Sequence, residues 1–396
     1  MLLPRNPIRD WMNSEAWEIA APDDDGYGMR RFARMLHACG LPVRRFRFAT
    51  PALHPLYRAM TFSWDADGDR VDEVEIPHDV SETDPSFFQS PLYAIFFEGA
   101  HAVRRRPQLP RQCDCPRDPM EAGMTDFATF RMQFRMLPMP EGAFSIATDA
   151  PEGFDSRHLA LIDDAMPAMS HLSELILFSE MTKTLMHTYL GRTPGERVMS
   201  GQIRRGDGID IRAVIWFSDL RESTRLSAEL PRAEFLALLN RYFDCAAGPV
   251  LAEGGEVLRY IGDAVLAIFP AETEAQTRDA CERAVRAARA ARLCLAELNA
   301  ERAAEAKPPI EFGIGLHVGE VTYGNIGVPD RLEFTVIGEA ANRAARLQNQ
   351  SKILRRPLVV SEDFARAHGG NWQRLGLMET RGMAAATVYG PADWPL

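Results

Sequence analysis

The stretch AVIWFSDLRESTRLS, residues 213–227, drives five apolar residues through Ser218 into an acid, Asp219, and then into further hydroxyls. A short apolar run bounded by polar residues predicts a buried strand. A strand that ends in Asp, with Ser and Thr close behind, has three readings: a turn, a helix cap, or a carboxylate that holds a metal ion over a phosphate. The flanking sequence has to decide among them.

Beyond this stretch, PRAEFLALLNRYFDCAAGPVLAEGG sets Phe235, Leu238, Leu239, Tyr242 and Phe243 on one helical face. EVLRYIGDAVLAIFP predicts two strands around Gly262-Asp263, residues 272–305 a long Ala/Arg/Glu-rich helix, EFGIGLHVGEVTYGNIG two more strands, LEFTVIG another, and EAANRAARLQNQ a helix. That order predicts an antiparallel sheet covered by helices on one face. Asp219 and Asp263 each fall at a strand end, so neighbouring strands of one sheet bring the two carboxylates together. Side by side they repel unless a cation joins them, and magnesium favours carboxylate oxygen together with substrate phosphates. LRESTRLS can turn backbone N–H groups and the Ser223 and Thr224 hydroxyls toward a phosphate as it enters a helix, and reads equally as an ordinary capping segment. In TVIGEAANRAARL, Asn342 and Arg346 project four residues apart from one helix face whose alanines admit close approach. An arginine beside an amide suits the stabilisation of charge on a phosphoryl group; alone, the pair is a solvated helix face.

Taken together, FSDLREST, LRYIGDAVLAIF and FTVIGEAANRAARL, in this order and spacing, resemble the catalytic core of the class III nucleotidyl cyclases, the adenylate and guanylate cyclases, over about residues 209–391. The resemblance implies a ferredoxin-like α+β catalytic domain (βαββαβ) in which Asp219 and Asp263 hold two magnesium or manganese ions, helped by the Leu220 carbonyl. By the same resemblance Arg259 and Thr335 read the base, Asn342 orients the ribose, and Arg346 stabilises the transition state. The implied reaction is attack of the ribose 3′-hydroxyl on the α-phosphate of ATP, giving cyclic AMP and pyrophosphate. The family splits each site between subunits, which implies a homodimer with two equivalent sites and an inactive monomer.

Three departures stand out. Arg259 replaces a lysine, keeping donor character but adding a planar fork that can meet N1 of adenine or O6 of guanine. Thr335 can accept from the adenine amino group, which favours ATP over GTP. Glu339 stands where Asp is common, and MAAATVYG lacks a basic residue that some relatives place on the terminal phosphates. The alternatives are a guanylate cyclase and a silent module that senses nucleotide without cyclising it. A diguanylate-forming palm enzyme would also use paired acids, but no GGDEF-like run is present.

The 396 residues suggest at least two domains. A formal charge of −10 argues against a non-specific nucleic-acid binder, so any anionic ligand must be met locally. No segment reaches the ~18 uninterrupted apolar residues of a membrane span, and MLLPRNPIRDW is too short and polar for a signal peptide; a cytoplasmic protein is expected. Cys39, Cys113, Cys115, Cys245, Cys281 and Cys294 contain no CxxC pair, indicating neither a disulfide framework nor a zinc site.

Residues 1–165 mix helix and strand patterns. RRFARMLHACG predicts a helix ended by Gly40, YRAMTFSWDADGDRVDEVEI two strands around an Asp-Gly turn, and SPLYAIFFEGAHAVRRR a helix. Strands are expected in LPVRRFRFAT, FATFRMQFRMLPM and GAFSIATDAP, and a helix from about Ser156. This layout, with GFDSRHLALIDDAMPAM as its best local match, resembles a GAF-type sensory domain; a domain that only packs or dimerises is the other reading. Pro167 is expected to kink or restart the last helix. Beyond it Met169, Leu172, Leu175, Ile176, Leu185, Met186 and Tyr189 form a stripe for a partner helix or for the domain's own core. GRTPGERVMSGQIRRGDG reads as a connector, making 166–208 a helical connector and 209–396 the catalytic domain.

Overall fold

A computed structural model describes residues 5–14, 26–78, 85–88, 90–106, 123–138, 141–378, 385–392 and 394. Cys113, Cys115 and the first two residues of MAAATVYG lie outside them. Two compact units are present, residues 1–185 and 186–396.

The first unit carries α1 (Pro7–Ser14), α2 (Tyr27–Ala38), β1 (Arg45–Pro51), β2 (Tyr57–Asp65), β3 (Arg70–Pro77), α3 (Pro85–Phe88), α4 (Pro91–Phe96), β4 (Ala102–Arg105), β5 (Asp126–Gln133), β6 (Glu141–Thr148) and most of α5 (Ser156–Leu190). Its antiparallel sheet has the order β3-β2-β1-β6-β5-β4. Phe46 and Phe144 on the sheet pack with Phe32 of α2 and with Ile162, Met166 and Met169 of α5. Met169 and Leu172, from the stripe read as a partner face, join this core. Two expectations change. SPLYAIFFEGAHAVRRR is a helix only as far as Phe96, since the chain passes through Gly99 at φ 71° and Ala102–Arg105 pairs with β5. Pro167 lies inside one uninterrupted α5 and does not restart it.

The second unit is built on β7 (Gly208–Leu220), the strand of the opening stretch, which β10 (Phe312–Val328) and β9 (Ala264–Ala271) flank on its two sides. Around them run α6 (Arg192–Met199), α7 (Ser223–Glu229), α8 (Arg232–Ala246), α9 (Gly248–Ala252), β8 (Glu256–Ile261), α10 (Glu274–Ala304), β11 (Arg331–Ile337), α11 (Glu339–Ile353), β12 (Leu358–Ser361), α12 (Glu362–His368), β13 (Trp372–Met378) and β14 (Ala386–Pro391). The sheet order is β13-β14-β12-β10-β7-β9-β8, with β11 on the far half of β10. All pairings are antiparallel except β10 with β12.

Strand alternation splits β7 between two cores. Val214 and Trp216 face α8, α9, α10 and α12, whereas Ala213 and Ile215 face α11 and the end of the β10–β11 hairpin. Helices therefore cover both faces, which corrects the one-face expectation. The glycines of EFGIGLHVGEV explain why. A Cβ on Gly315 would stand 2.4 Å from the Ala344 carbonyl oxygen, and one on Gly319 would stand 2.6 Å from Ala340 Cβ. They give α11 clearance and do not break the strand, so the two expected strands are one strand of 17 residues. The expected connector contains α6, with Pro194 in its first turn, where a missing N–H costs nothing. Cys245 of α8 and Cys294 of α10 are joined in a disulfide, against the expectation of unpaired thiols. Among the described residues, no helix is long and apolar enough to cross a membrane.

His317 of β10 is buried, and its Nδ1 lies 2.8 Å from Ser361 Oγ, the hydroxyl that caps α12 by accepting from the Phe364 N–H. Burial, aided by the Arg343 charge, pushes the imidazole down to about 4. The unfolded chain takes up this proton near pH 6.5 and the folded chain only near pH 4, so the stability is fully present above that window and is lost as pH falls through it. The linkage amounts to on the order of 3 kcal/mol. Urea titrations of His317→Gln should show a shallower loss between pH 6.5 and 4 than wild type; parallel pH profiles would contradict this account.

Candidate active site

The last turn of β7 and the β8–β9 hairpin build the first cluster. Asp219 pairs in register with Ala264, so Asp263, one residue earlier, is placed at the end of the same row. Gly262 supplies the left-handed backbone of that tight turn, at φ 65°. The two carboxylates are close enough for each to oppose the other's ionisation. Burial first, and then the hydrogen bond and charge of Asp263, raise Asp219 to about 7, while Lys352 and the Leu220 N–H act in the opposite sense. Asp263 Oδ2 is buried and has no hydrogen-bond partner among the described residues. A buried, unsatisfied carboxylate oxygen is costly, and a cation removes both that cost and the repulsion. No group of three or more metal-ligating side chains exists among the described residues. The pair therefore suits an ion such as magnesium, whose other positions go to water and phosphate oxygens.

Beneath the acids lies the fully buried Tyr242 of α8, whose phenol is pushed up by burial, with both carboxylate charges adding to the effect. Ser218, the residue before Asp219, accepts from Trp216 Nε1 at 3.1 Å. Leu220 is buried. Ser223 and Thr224 open α7 immediately after Glu222, which takes the left-handed backbone at φ 59°. Among the described residues neither hydroxyl has a hydrogen-bond partner, so both are free to meet a ligand.

A second cluster forms around β8 and β11. Arg259 is ion-paired with Glu333, and Thr335, two residues further on and therefore on the same side of β11, is buried with its Oγ1 unpartnered. The Tyr323 hydroxyl donates to Glu256 at 2.8 Å and ties the β10–β11 hairpin to β8. On α11, Ala340 and Ala344 are buried against the sheet, and Asn342 and Arg346 carry no hydrogen bond or ion pair among the described residues. Glu339 pairs with Arg343 at 2.8 Å, away from the acids. Asp219 and Asp263 act on each other, and Arg259 reaches Glu333, two residues before Thr335. Among the described residues, no hydrogen bond or ion pair links Thr335, Asn342 or Arg346 to the acids.

Sequence reading missed Glu333, Lys352 and the position of Tyr242 under the acids. Glu333 alternates with Thr335 on one strand, a signal that was available. Lys352 approaches Asp219 from the far end of α11 by tertiary packing alone.

Residues 211–371 match the family model described as the adenylate and guanylate cyclase catalytic domain. An adenylate cyclase of Anabaena cylindrica is 32% identical over 159 residues, 39% of this chain and 30% of the relative. The uncharacterized protein Rv1319c of Mycobacterium tuberculosis is 32% identical over 188 residues, 48% of this chain and 33% of the relative. The chain thus spans about a third of the length of these curated relatives. Among solved structures, the guanylyl cyclase Cya2 is similar at 27% identity and a TM-score of 0.40, covering 46% of this chain and 92% of that one. The C-terminal half of the chain carries a class III adenylate/guanylate cyclase catalytic domain.

Removing one of the two repelling acids should stabilise the metal-free protein. Asp263→Asn is expected to raise the Tm in EDTA by a few degrees, corresponding to about 1 kcal/mol. Manganese should raise the Tm of wild type and leave the Asp219→Asn/Asp263→Asn variant unmoved. A double variant stabilised by manganese as much as wild type would place the metal elsewhere.

Proposed function

We propose that this chain is an adenylate cyclase that converts ATP to 3′,5′-cyclic AMP and pyrophosphate at sites shared between two copies. The observation that carries the reading is the half-buried acid pair, Asp219 at the end of β7 and Asp263 in the β8–β9 turn, with its unsatisfied Asp263 oxygen. Asp219 and Asp263 would hold two magnesium or manganese ions, with the Leu220 carbonyl beside them. When bound there, the ions supply charge for the attacking 3′-oxygen and for the leaving pyrophosphate. The remaining work falls to side chains of the chain. The Ser223 and Thr224 hydroxyls and the backbone entering α7 grip phosphate oxygens. Asn342 orients the ribose. Arg346, with no carboxylate partner among the described residues, offers its fixed donors to the phosphoryl group as charge builds.

Base reading falls to Arg259 and Thr335. Arg259 can donate to N1 of adenine, and the unpartnered Thr335 hydroxyl can accept from its amino group. One observation favours guanine as the second reading. The Glu333 carboxylate held against Arg259 can accept from N1–H of guanine while the guanidinium donates to O6. A cyclase-fold module that binds nucleotide without cyclising it is disfavoured, because both acids, Asn342 and Arg346 are all retained.

Each protomer supplies the acids to one site and Arg259, Thr335, Asn342 and Arg346 to the other, hence the homodimer. We read residues 1–165 as a GAF-type regulatory domain that binds a small molecule or a protein, 166–208 as a helical connector, and 209–396 as the catalytic domain. The GAF reading rests on its layout and on a helix that starts at Ser156 after the Gly153-Phe154 turn. We place the protein in the cytoplasm, acting on neither membrane nor nucleic acid.

Purified protein supplied with ATP and magnesium or manganese should yield cyclic AMP. Asp263→Ala should abolish this, and Arg346→Ala should slow it by at least about a hundredfold. A wild type that makes no cyclic nucleotide with either metal sinks the enzymatic reading, and a preference for GTP in a competition assay selects the guanylate one. Mixed Asp219→Ala and Arg346→Ala chains should recover activity, because one of the two sites in the heterodimer is intact. Heterodimers that form and stay inactive would contradict the shared site.

A further inference from the structure

A hollow of about 880 Å³ lies between the loop after β7, the C-terminal part of α10, the start of β10 and the end of α11. Five cations line it, Arg221, Arg225, Arg292, Lys352 and Arg355, against two carboxylates, Glu222 and Glu311. Both acids are already engaged. Arg221 donates to Glu311 at 2.5 Å and to the Ser351 and Arg356 carbonyls, while Arg225 pairs with Glu222 and Glu229. The side chains of Arg292, Lys352 and Arg355 have no ion pair or hydrogen bond among the described residues. Arg292 lies over the Trp394 ring at 4.7 Å, which holds its guanidinium plane in place.

Arg292 and Arg355 face the hollow with no carboxylate partner among the described residues, Lys352 has only the charge of Asp219 to answer it, and in a chain of net charge −10 these cations do not reflect a general excess of base. The Arg221 Nε, buried and unpartnered, adds a fourth unused donor in the wall. Arg355 takes the left-handed backbone at φ 50°, a strained conformation of the kind found at ligand clamps. Guanidinium forks match phosphate oxygens in pairs, and several such charges favour an anion with more than one phosphate. Asp219, Asp263, Ser223 and Thr224 are not among the lining residues, so the hollow adjoins the acid pair through Lys352 and the loop after β7 without including it.

We propose that this hollow is a binding site for a small polyphosphorylated anion, separate from the catalytic centre and independent of metal. The chemistry is shared by free inorganic polyphosphate and by the phosphate chain of a nucleotide. The site goes beyond the cyclase reading, and its test does not depend on turnover.

Calorimetric titration of the full chain with tripolyphosphate in EDTA should give saturable binding of equal affinity in wild type and Asp263→Asn. Lys352→Gln/Arg355→Gln, at two exposed positions, should bind at least tenfold more weakly, and Arg292→Lys severalfold more weakly with its fold intact by circular dichroism. ATP binding under the same conditions assigns the site to a nucleotide's phosphate chain, and tripolyphosphate binding without it assigns free polyphosphate. The proposal is overturned by the absence of millimolar binding, by equal affinity in wild type and Lys352→Gln/Arg355→Gln, by loss of binding in Asp263→Asn, or by citrate binding as tightly as tripolyphosphate.

Discussion

Two carboxylates held against each other in a half-buried strand end are the constraint on which the second unit depends. Register makes the contact unavoidable: β7 pairs with β9 from Arg212 to Asp219, so the hairpin turn that carries Asp263 has one place to go. The arrangement opposes folding. It persists because β7 is paired along both edges, with β10 opposite it from Gly208 to Leu220, and because Val214 and Trp216 anchor it in the larger core. Strain of this kind collects where function needs it and is offset by the surrounding fold.

The same logic governs the groups left without partners. Thr335 Oγ1 and Asp263 Oδ2 are buried polar atoms with nothing to bind among the described residues, as are Arg221 Nε, Tyr242 Oη and Ser351 Oγ, whereas His317 and Ser361 are paired with each other. Unsatisfied polar atoms are rare in native interiors. Thr335 on β11 and Asp263 in the β8–β9 turn are readily understood as contacts reserved for a ligand. Arg346 fits the same pattern as a cation with no carboxylate partner among the described residues.

The catalytic half was largely legible in the sequence because its chemistry sits at strand ends and on one helix face, where a period of two or four residues is enough to place a side chain. Asp219, Asp263, Asn342 and Arg346 could be located in this way. What failed was punctuation. Gly313, Gly315 and Gly319 resemble breaks along the chain, but their role is to let α11 pass over the sheet, a contact between elements that local pattern does not encode. For the same reason α11 was assigned to the wrong face, and the Cys245–Cys294 bridge between α8 and α10 was not expected. In the first unit, alternation located five of the six described strands; Ala102–Arg105 was hidden inside an apparent helix because a strand of four residues carries too few alternations to register.

Glu333 sharpens the question of the base. Read alone, Arg259 is a lysine substitute, a donor with a choice between N1 of adenine and O6 of guanine. Its partner narrows that freedom, since a guanidinium tied to a carboxylate has a fixed plane and offers a donor and an acceptor side by side. Purine edges differ in the order of donor and acceptor, so the pair discriminates through its orientation more than through its charge. The electrostatics point the same way. The chain carries a charge of −10, which at long range opposes an anionic nucleotide, but charges beyond about 8–10 Å are screened at physiological salt. Capture must then rely on the few cations within that radius, and their placement matters more than the total.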